Sequence, residues 1–171
     1  MGELTDIFDK NGERTGKTML RGEKLSKGDY IQAAVAVVKS GSHVLVTRRH
    51  PDKSQGGKWE FPGGGSRSGE EPLETMLREL SEETGIHTYK ELSTFLKRVY
   101  FEPYHLFVYV YLVESEAVLG ELTLQKEEVT KAMFVTWEEL SMMRGMLSPM
   151  NQQIYDEISE QMCAVMADTA S

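Results

Sequence analysis

The sequence predicts an α/β sandwich, with a mixed β-sheet lying between helices. Two observations carry that expectation. Apolar segments of strand length recur along the chain, among them Tyr30–Val38, His43–Arg48 and Tyr104–Val113. Between and after them, Leu73, Met76, Leu77 and Leu80, and then Met150, Ile154, Ile158, Met162 and Val165, repeat at helical spacing. Helices are thus inserted at two separate places among the strands, the pattern of a layered α/β fold.

At 171 residues the chain is long enough for one domain with a sizeable core. No internal repeat, low-complexity tract or linker divides it, so residues 1–171 are expected to form a single domain. A net charge of −8 and a pI near 5.1 argue against a nucleic-acid polymer as partner. A small anionic substrate stays compatible, because metal ions and a few Lys or Arg reverse the sign within a cleft. The lone Cys163 excludes an intramolecular disulfide and fits a reducing compartment. The opening MGELTDIFDKNGERTGK has no apolar signal region, and no apolar run reaches membrane-spanning length. The expectation is a cytoplasmic protein without membrane contact.

Taken in order, residues 4–10 and 15–20 flank Asn11-Gly12, a hairpin signal. Residues 1–28 therefore read as an N-terminal hairpin extension ending in a polar connection. It can cover the site, extend the sheet or make a homodimer contact. Tyr30–Val38 and His43–Arg48 form a second hairpin across Lys39-Ser40-Gly41-Ser42. A polar loop over Arg49–Lys58 leads to a short strand, Lys58–Phe61. Phe61-Pro62-Gly63-Gly64-Gly65 cannot stay helical and lets the backbone turn close to a ligand. Ser68 and Glu71 fit a capping box, Pro72 suits a first helical turn and Gly85 a C-terminal stop; the N-cap itself falls anywhere from Ser68 to Glu71.

Beyond the helix, Leu92–Phe101 and Tyr104–Val113 are hairpin strands broken at Glu102-Pro103. In the second, both alternating sets of residues are apolar, which places it centrally with cover on each side. Glu114–Thr130 reads as an acidic, mobile loop and Ala132–Thr136 as a strand. Thr136-x-x-Glu139 caps a brief helix around Trp137–Met143, and Ser148-Pro149 opens a last helix over 148–167. Cys163 reads as a packing residue of that helix. The four histidines, at 43, 50, 87 and 105, share no metal-ligand spacing.

The chemistry concentrates in Arg78-Glu79-Leu80-Ser81-Glu82-Glu83. On a helix Glu79, Glu82 and Glu83 stand at i, i+3 and i+4 on one face. The like-charged Glu79/Glu83 pair opposes helix formation by roughly 0.2–0.5 kcal/mol. A divalent cation with oxygen ligands resolves that repulsion. A solvated acidic helix face is the plain alternative.

The stretch from Gly64 to Ile86 resembles the signature of the Nudix hydrolases, G-x5-E-x7-R-E-U-x-E-E-x-G-U, where U is a bulky aliphatic residue. Gly64, Glu70, Arg78, Glu79, Leu80, Glu82, Glu83, Gly85 and Ile86 fill every specified position. The resemblance implies a Nudix-type α/β/α sandwich in which residues 64–86 form a loop–helix–loop. It implies Mg²⁺ or Mn²⁺ held by Glu82 and Glu83, helped by a glycine-turn carbonyl, here Gly63. Glu79 is then a third ligand or the acceptor of the attacking water's proton. Arg78, Glu70 and Gly64 support the site.

Many members place a further metal-binding or basic glutamate in a later loop, which selects Glu128 as a catalytic residue, with Glu127 in reserve, against a reading as surface charge. Arg48, Arg49 and Lys58 flank the approach to the box and are phosphate contacts or ordinary surface cations. Trp59 is a stacking partner for a base or a core residue.

The implied activity is hydrolysis of a pyrophosphate link in a nucleoside diphosphate joined to another moiety: a nucleotide, a nucleotide-sugar or an oxidised deoxynucleoside triphosphate. Lys58-Trp59-Glu60-Phe61-Pro62-Gly63-Gly64 looks like the approach to the box in the enzymes that cleave oxidised triphosphates. Two alternatives stand beside it. The opening DIFDKNGERTGKTMLRGEKLSKGDY resembles isopentenyl-diphosphate-isomerase-like members, whose catalytic Cys in the sheet region has no equivalent here. A non-catalytic nucleotide sensor on the same scaffold would be expected to lose box carboxylates, and all are present.

Overall fold

A computed structural model describes residues 2–169. Strands β1 (Leu4–Phe8) and β2 (Arg14–Leu20) form the N-terminal hairpin as a two-stranded sheet. Gly12 in its turn adopts a φ of +82°, a conformation that favours glycine. The hairpin is tied to the main sheet where Phe8 and Tyr30 exchange backbone hydrogen bonds of 2.8 and 3.0 Å.

The main sheet contains β3 (Ile31–Ser40), β4 (His43–Arg49), β5 (Trp59–Glu60), β6 (Gly63–Gly65), β7 (Ser93–Phe101), β8 (Leu106–Glu114) and β9 (Val129–Thr136). It is mixed: β3 runs parallel to β8 from Ile31 opposite Leu106 to Lys39 opposite Glu114, and the remaining pairs are antiparallel. Next to their turn, β3 and β4 pair at Lys39–Val44 and Ser40–His43 and then splay apart. The wedge between them is filled by β5, which pairs with β4, and by β6, which pairs with β3. β9 takes the other edge of β4.

Helices α1 (Pro72–Thr84), α2 (Trp137–Met142) and α3 (Pro149–Thr169) cover the sheet. Side-chain alternation divides β3 between two cores. Ala33, Val35 and Val37 pack in one with Phe61, Val108, Ile154 and Ile158, while Ala34, Ala36 and Val38 pack in the other with Met76 and Leu80 of α1. The small Ala34 and Ala36 let α1 sit close to the strand. Strand β8 is covered on both sides as its pattern requires, with Val108, Val110 and Val113 fully buried between β3 and β7. Among the described residues, no helix is long and apolar enough to cross a membrane.

Several local expectations change. Gly63–Gly65 is a strand rather than a turn, because bare backbone fits where a side chain cannot: a Cβ on Gly63 would lie 2.3 Å from the Ala34 carbonyl oxygen. The N-cap of α1 is Glu71, whose N–H donates to Glu74 at 3.0 Å, so Ser68 does not cap the helix. Ser68 instead donates to Asp6 of the hairpin at 2.6 Å. The 114–130 segment is tied to the end of α1, with Thr123 N–H donating to the Thr84 carbonyl at 2.9 Å and Gln125 N–H to that of Glu83 at 3.0 Å. Cys163 is exposed rather than packed.

Candidate active site

The site grows from the contact between α1 and β6. Glu79 and Glu83 lie one helical turn apart on the buried side of α1, at 8 % and 6 % exposure. Gly63 N–H donates to Glu83 Oε2 at 3.2 Å. A Cβ on Gly64 would stand 2.6 Å from the Glu79 carboxylate, so only glycine lets the strand pass over that group. Glu82 differs from its two neighbours. Its side chain is 39 % exposed at the rim, 3.2 Å from Arg78 and 3.6 Å from Arg67.

Arg78 organises the acidic face. Its guanidinium donates to Glu70 at 2.6 Å, Glu79 at 2.8 Å, Glu82 at 3.2 Å and the Gly65 carbonyl at 3.1 Å. Glu70 also accepts from Thr75 at 2.7 Å and from the Arg67 N–H at 3.2 Å. Burial raises the Glu70 pKa, but the Arg78 and Thr75 bonds outweigh it and hold the carboxyl below its ordinary value. The two buried glutamates go the other way. Burial raises Glu79 despite Arg78, and it raises Glu83 strongly, with the charges of Glu60 and Glu79 adding to the effect.

Glu60, at the end of β5, is the residue that sequence reasoning missed. Its side chain is 12 % exposed, and Arg49 donates to both of its oxygens at 3.1 and 3.2 Å. Burial pushes its pKa up to about 7 against the pull of Arg49. A lone Glu in the run Lys58–Gly64 carries no spacing signal; the wedge between β3 and β4 brings it beside the box.

The remaining candidates separate. Arg49 lines a cleft of about 700 Å³ together with Glu60 and Gly63–Gly65. Arg48, the residue before it, lies on the opposite side of β4 and donates to the Gly57 carbonyl at 3.0 Å, and neither Arg48 nor Lys58 lines that cleft. Trp59 is not a stacking platform, since it is 7 % exposed and packed in the core with Phe61 and Leu147. Glu128 is half-buried and paired with Lys53 at 2.5 Å, and its charge reaches Glu60 and Glu83. Glu127 is exposed.

Among the described residues, no three Asp, Glu, His or Cys side chains converge as a ready metal-binding group. The expected triad is divided, with Glu79 and Glu83 inside and Glu82 at the rim. The donor chemistry still fits a hard divalent cation. Glu60, Glu79 and Glu83 are oxygen donors whose burial and mutual repulsion disfavour their charged forms, and a cation relieves both effects.

Known proteins resemble this chain. The NUDIX domain family model matches residues 30–158. An uncharacterised Nudix hydrolase of Listeria monocytogenes is 34 % identical over 146 residues, covering 84 % of this chain and 85 % of that protein. The 8-oxo-dGTP diphosphatase of Escherichia coli is 38 % identical over 86 residues, covering 49 % of this chain and 66 % of that enzyme. Among solved structures, one from Deinococcus radiodurans superposes with a TM-score of 0.66 at 22 % identity, covering 81 % of this chain and 86 % of that one, a likeness of fold.

Proposed function

The chain belongs to the NUDIX domain family, and from that premise we propose that it hydrolyses the pyrophosphate link of a nucleoside diphosphate joined to a second moiety. The observation that carries this reading is the pair of buried carboxylates, Glu79 and Glu83, beneath a side-chain-free strand that opens into a 700 Å³ cleft. The 8-oxo-dGTP diphosphatase relative supports an oxidised deoxynucleoside triphosphate as one member of the substrate class; nucleotides and nucleotide-sugars are the others.

Glu79, Glu83 and Glu82, with the Gly63 carbonyl, are the groups that would hold Mg²⁺ or Mn²⁺. Such an ion supplies charge neutralisation at the phosphates, orientation, and acidification of a water. The chain itself does the rest. Arg78 fixes Glu79 and Glu82 and, through Glu70, the start of α1. Glu60 takes the proton of the attacking water in this reading, which its position in the cleft wall and its two bonds from Arg49 support. Glu128, tied to Lys53, contributes its negative field beside Glu60.

Turnover of a panel of nucleoside diphosphate derivatives with Mg²⁺ tests the reading. At least one member is expected to be cleaved at the P–O–P link, and Glu83→Gln to lower that rate by roughly 100-fold. No turnover of any member, alongside tight binding of one, would favour a sensor. The isomerase alternative loses support because Cys163 lies about 20 Å along α3 from Met150 at the cleft.

A further inference from the structure

The N-terminal hairpin is bolted to the segment between β6 and α1. Thr5 donates to the Ser66 carbonyl at 2.9 Å, and Ser68 N–H donates to that of Leu4 at 2.8 Å. Asp6 accepts from the Gly69 N–H at 2.9 Å, and Arg14 pairs with Glu71 at 2.8 Å. Anchored in this way, the end of β2 and the turn after it lie along the cleft. Met19, Arg21 and Leu25 line it together with Ile31, Tyr104 and Leu106.

Leu25 is half-buried within an otherwise charged and polar run, Arg21-Gly22-Glu23-Lys24-Leu25-Ser26-Lys27. Arg21 is the link to the box. A Cβ on Gly65 would meet its guanidinium at 2.8 Å, and Glu3 accepts from Arg21 through its carboxylate at 3.0 Å and its carbonyl at 2.9 Å.

We propose that residues 19–25 form the specificity wall of the cleft, with Met19 and Leu25 holding the nucleoside of the substrate and Arg21 an oxygen of the adjoining phosphate. The assignment rests on the pyrophosphohydrolase reading above. It follows from what lines the cleft. Glu60 and the Gly63–Gly65 backbone, which lies over Glu79 and Glu83, line the cleft, and so do apolar side chains from the hairpin, β3 and β8. The carbon faces of a base and ribose match those apolar side chains, and the Arg21 cation beside Gly65 matches a phosphate next to the box.

Two uncleavable probes, titrated calorimetrically against the full chain with Mg²⁺, separate the contributions. α,β-Methylene-ADP carries a nucleoside; methylenediphosphonate is the diphosphate mimic alone. Met19→Ser with Leu25→Ser is expected to weaken α,β-methylene-ADP about tenfold and to leave methylenediphosphonate within about twofold. Arg21→Ala is expected to weaken both about tenfold, with Arg21→Lys recovering most of the loss.

The proposal is overturned if the double variant binds both probes as the wild type does, or weakens both equally. It is also overturned if Arg21→Ala changes neither, or if the wild type binds α,β-methylene-ADP no better than methylenediphosphonate. A wild-type chain that binds neither probe and cleaves no panel member overturns the underlying reading instead.

Discussion

Glu83 is a carboxylate placed where its charge is least welcome, buried and facing Glu60 and Glu79. Replacing it with Gln keeps the shape and an acceptor for the Gly63 N–H while removing the charge. The metal-free Glu83→Gln variant is therefore expected to melt a few degrees above the wild type at pH 8, by thermal denaturation, while its turnover falls. Destabilisation would mean that the charge is needed for packing. Glu82→Gln, at the rim, is expected to lower turnover with a thermal midpoint within about 2 °C of the wild type.

At this scale the signature spacing makes Glu79, Glu82, Glu83 and Arg78 readable from sequence. Their unequal burial is not readable, because i, i+3 and i+4 describe one helix face and not what lies over it. Glu70 as the partner of Arg78 is equally hidden: the two stand eight residues apart and meet only after the chain turns into α1.

Among the elements, α1 carries the clearest sequence signal, since its stripe, its proline and its glycine stop all agree. Its core contacts are weighted unevenly. Met76 and Leu80 are fully buried, whereas Leu73 and Leu77 are half-buried against the same cluster. Leu80→Ala is expected to cost about 2–5 kcal/mol by chemical denaturation, and Leu77→Ala clearly less. The opposite order would place the inner face of the helix on the wrong side.

Strand β6 shows where sequence reading fails. Three consecutive glycines lack every strand-forming feature, and the pairing with Ala33–Val35 comes from the vacancy between β3 and β4. Gly64→Ala adds a methyl group against the Glu79 carboxylate. It is expected to reduce activity at least tenfold in the same panel assay, more than Gly69→Ala, although Gly69 has the strained φ of +87°.

For the molecule as a whole, the raised carboxylates make stability depend on pH. Glu60, unfolded near 4.5 and folded at about 7, contributes stability that is complete below pH 4.5 and lost as pH rises through 7. Glu79 and Glu83 act in the same direction. Glu70 and Asp6, held low by their partners, act oppositely and are lost in acid. The metal-free chain is thus expected to melt about 5 °C higher at pH 5.5 than at pH 8, and Mg²⁺ to restore much of the difference at pH 8. A flat profile would remove the case for a cation relieving buried charge.

The layered architecture was legible because periodicity reports burial on each face. The cleft was not, because its lining is drawn from within residues 3–5, 19–25, 31–35, 60–66 and 103–106, with Arg49 and Met150, which meet through topology alone.

That topology also bears on how the chain reaches its fold. Until residues 59–65 slot between them, β3 and β4 present facing backbone edges with unmet hydrogen-bonding groups, each a template for another chain. The inserted segment acts as a keystone, closing the sheet in the same movement that sets the glycine strand over Glu79. A change that loosens it should leave a second trace besides lost turnover: more aggregate on refolding at high protein concentration.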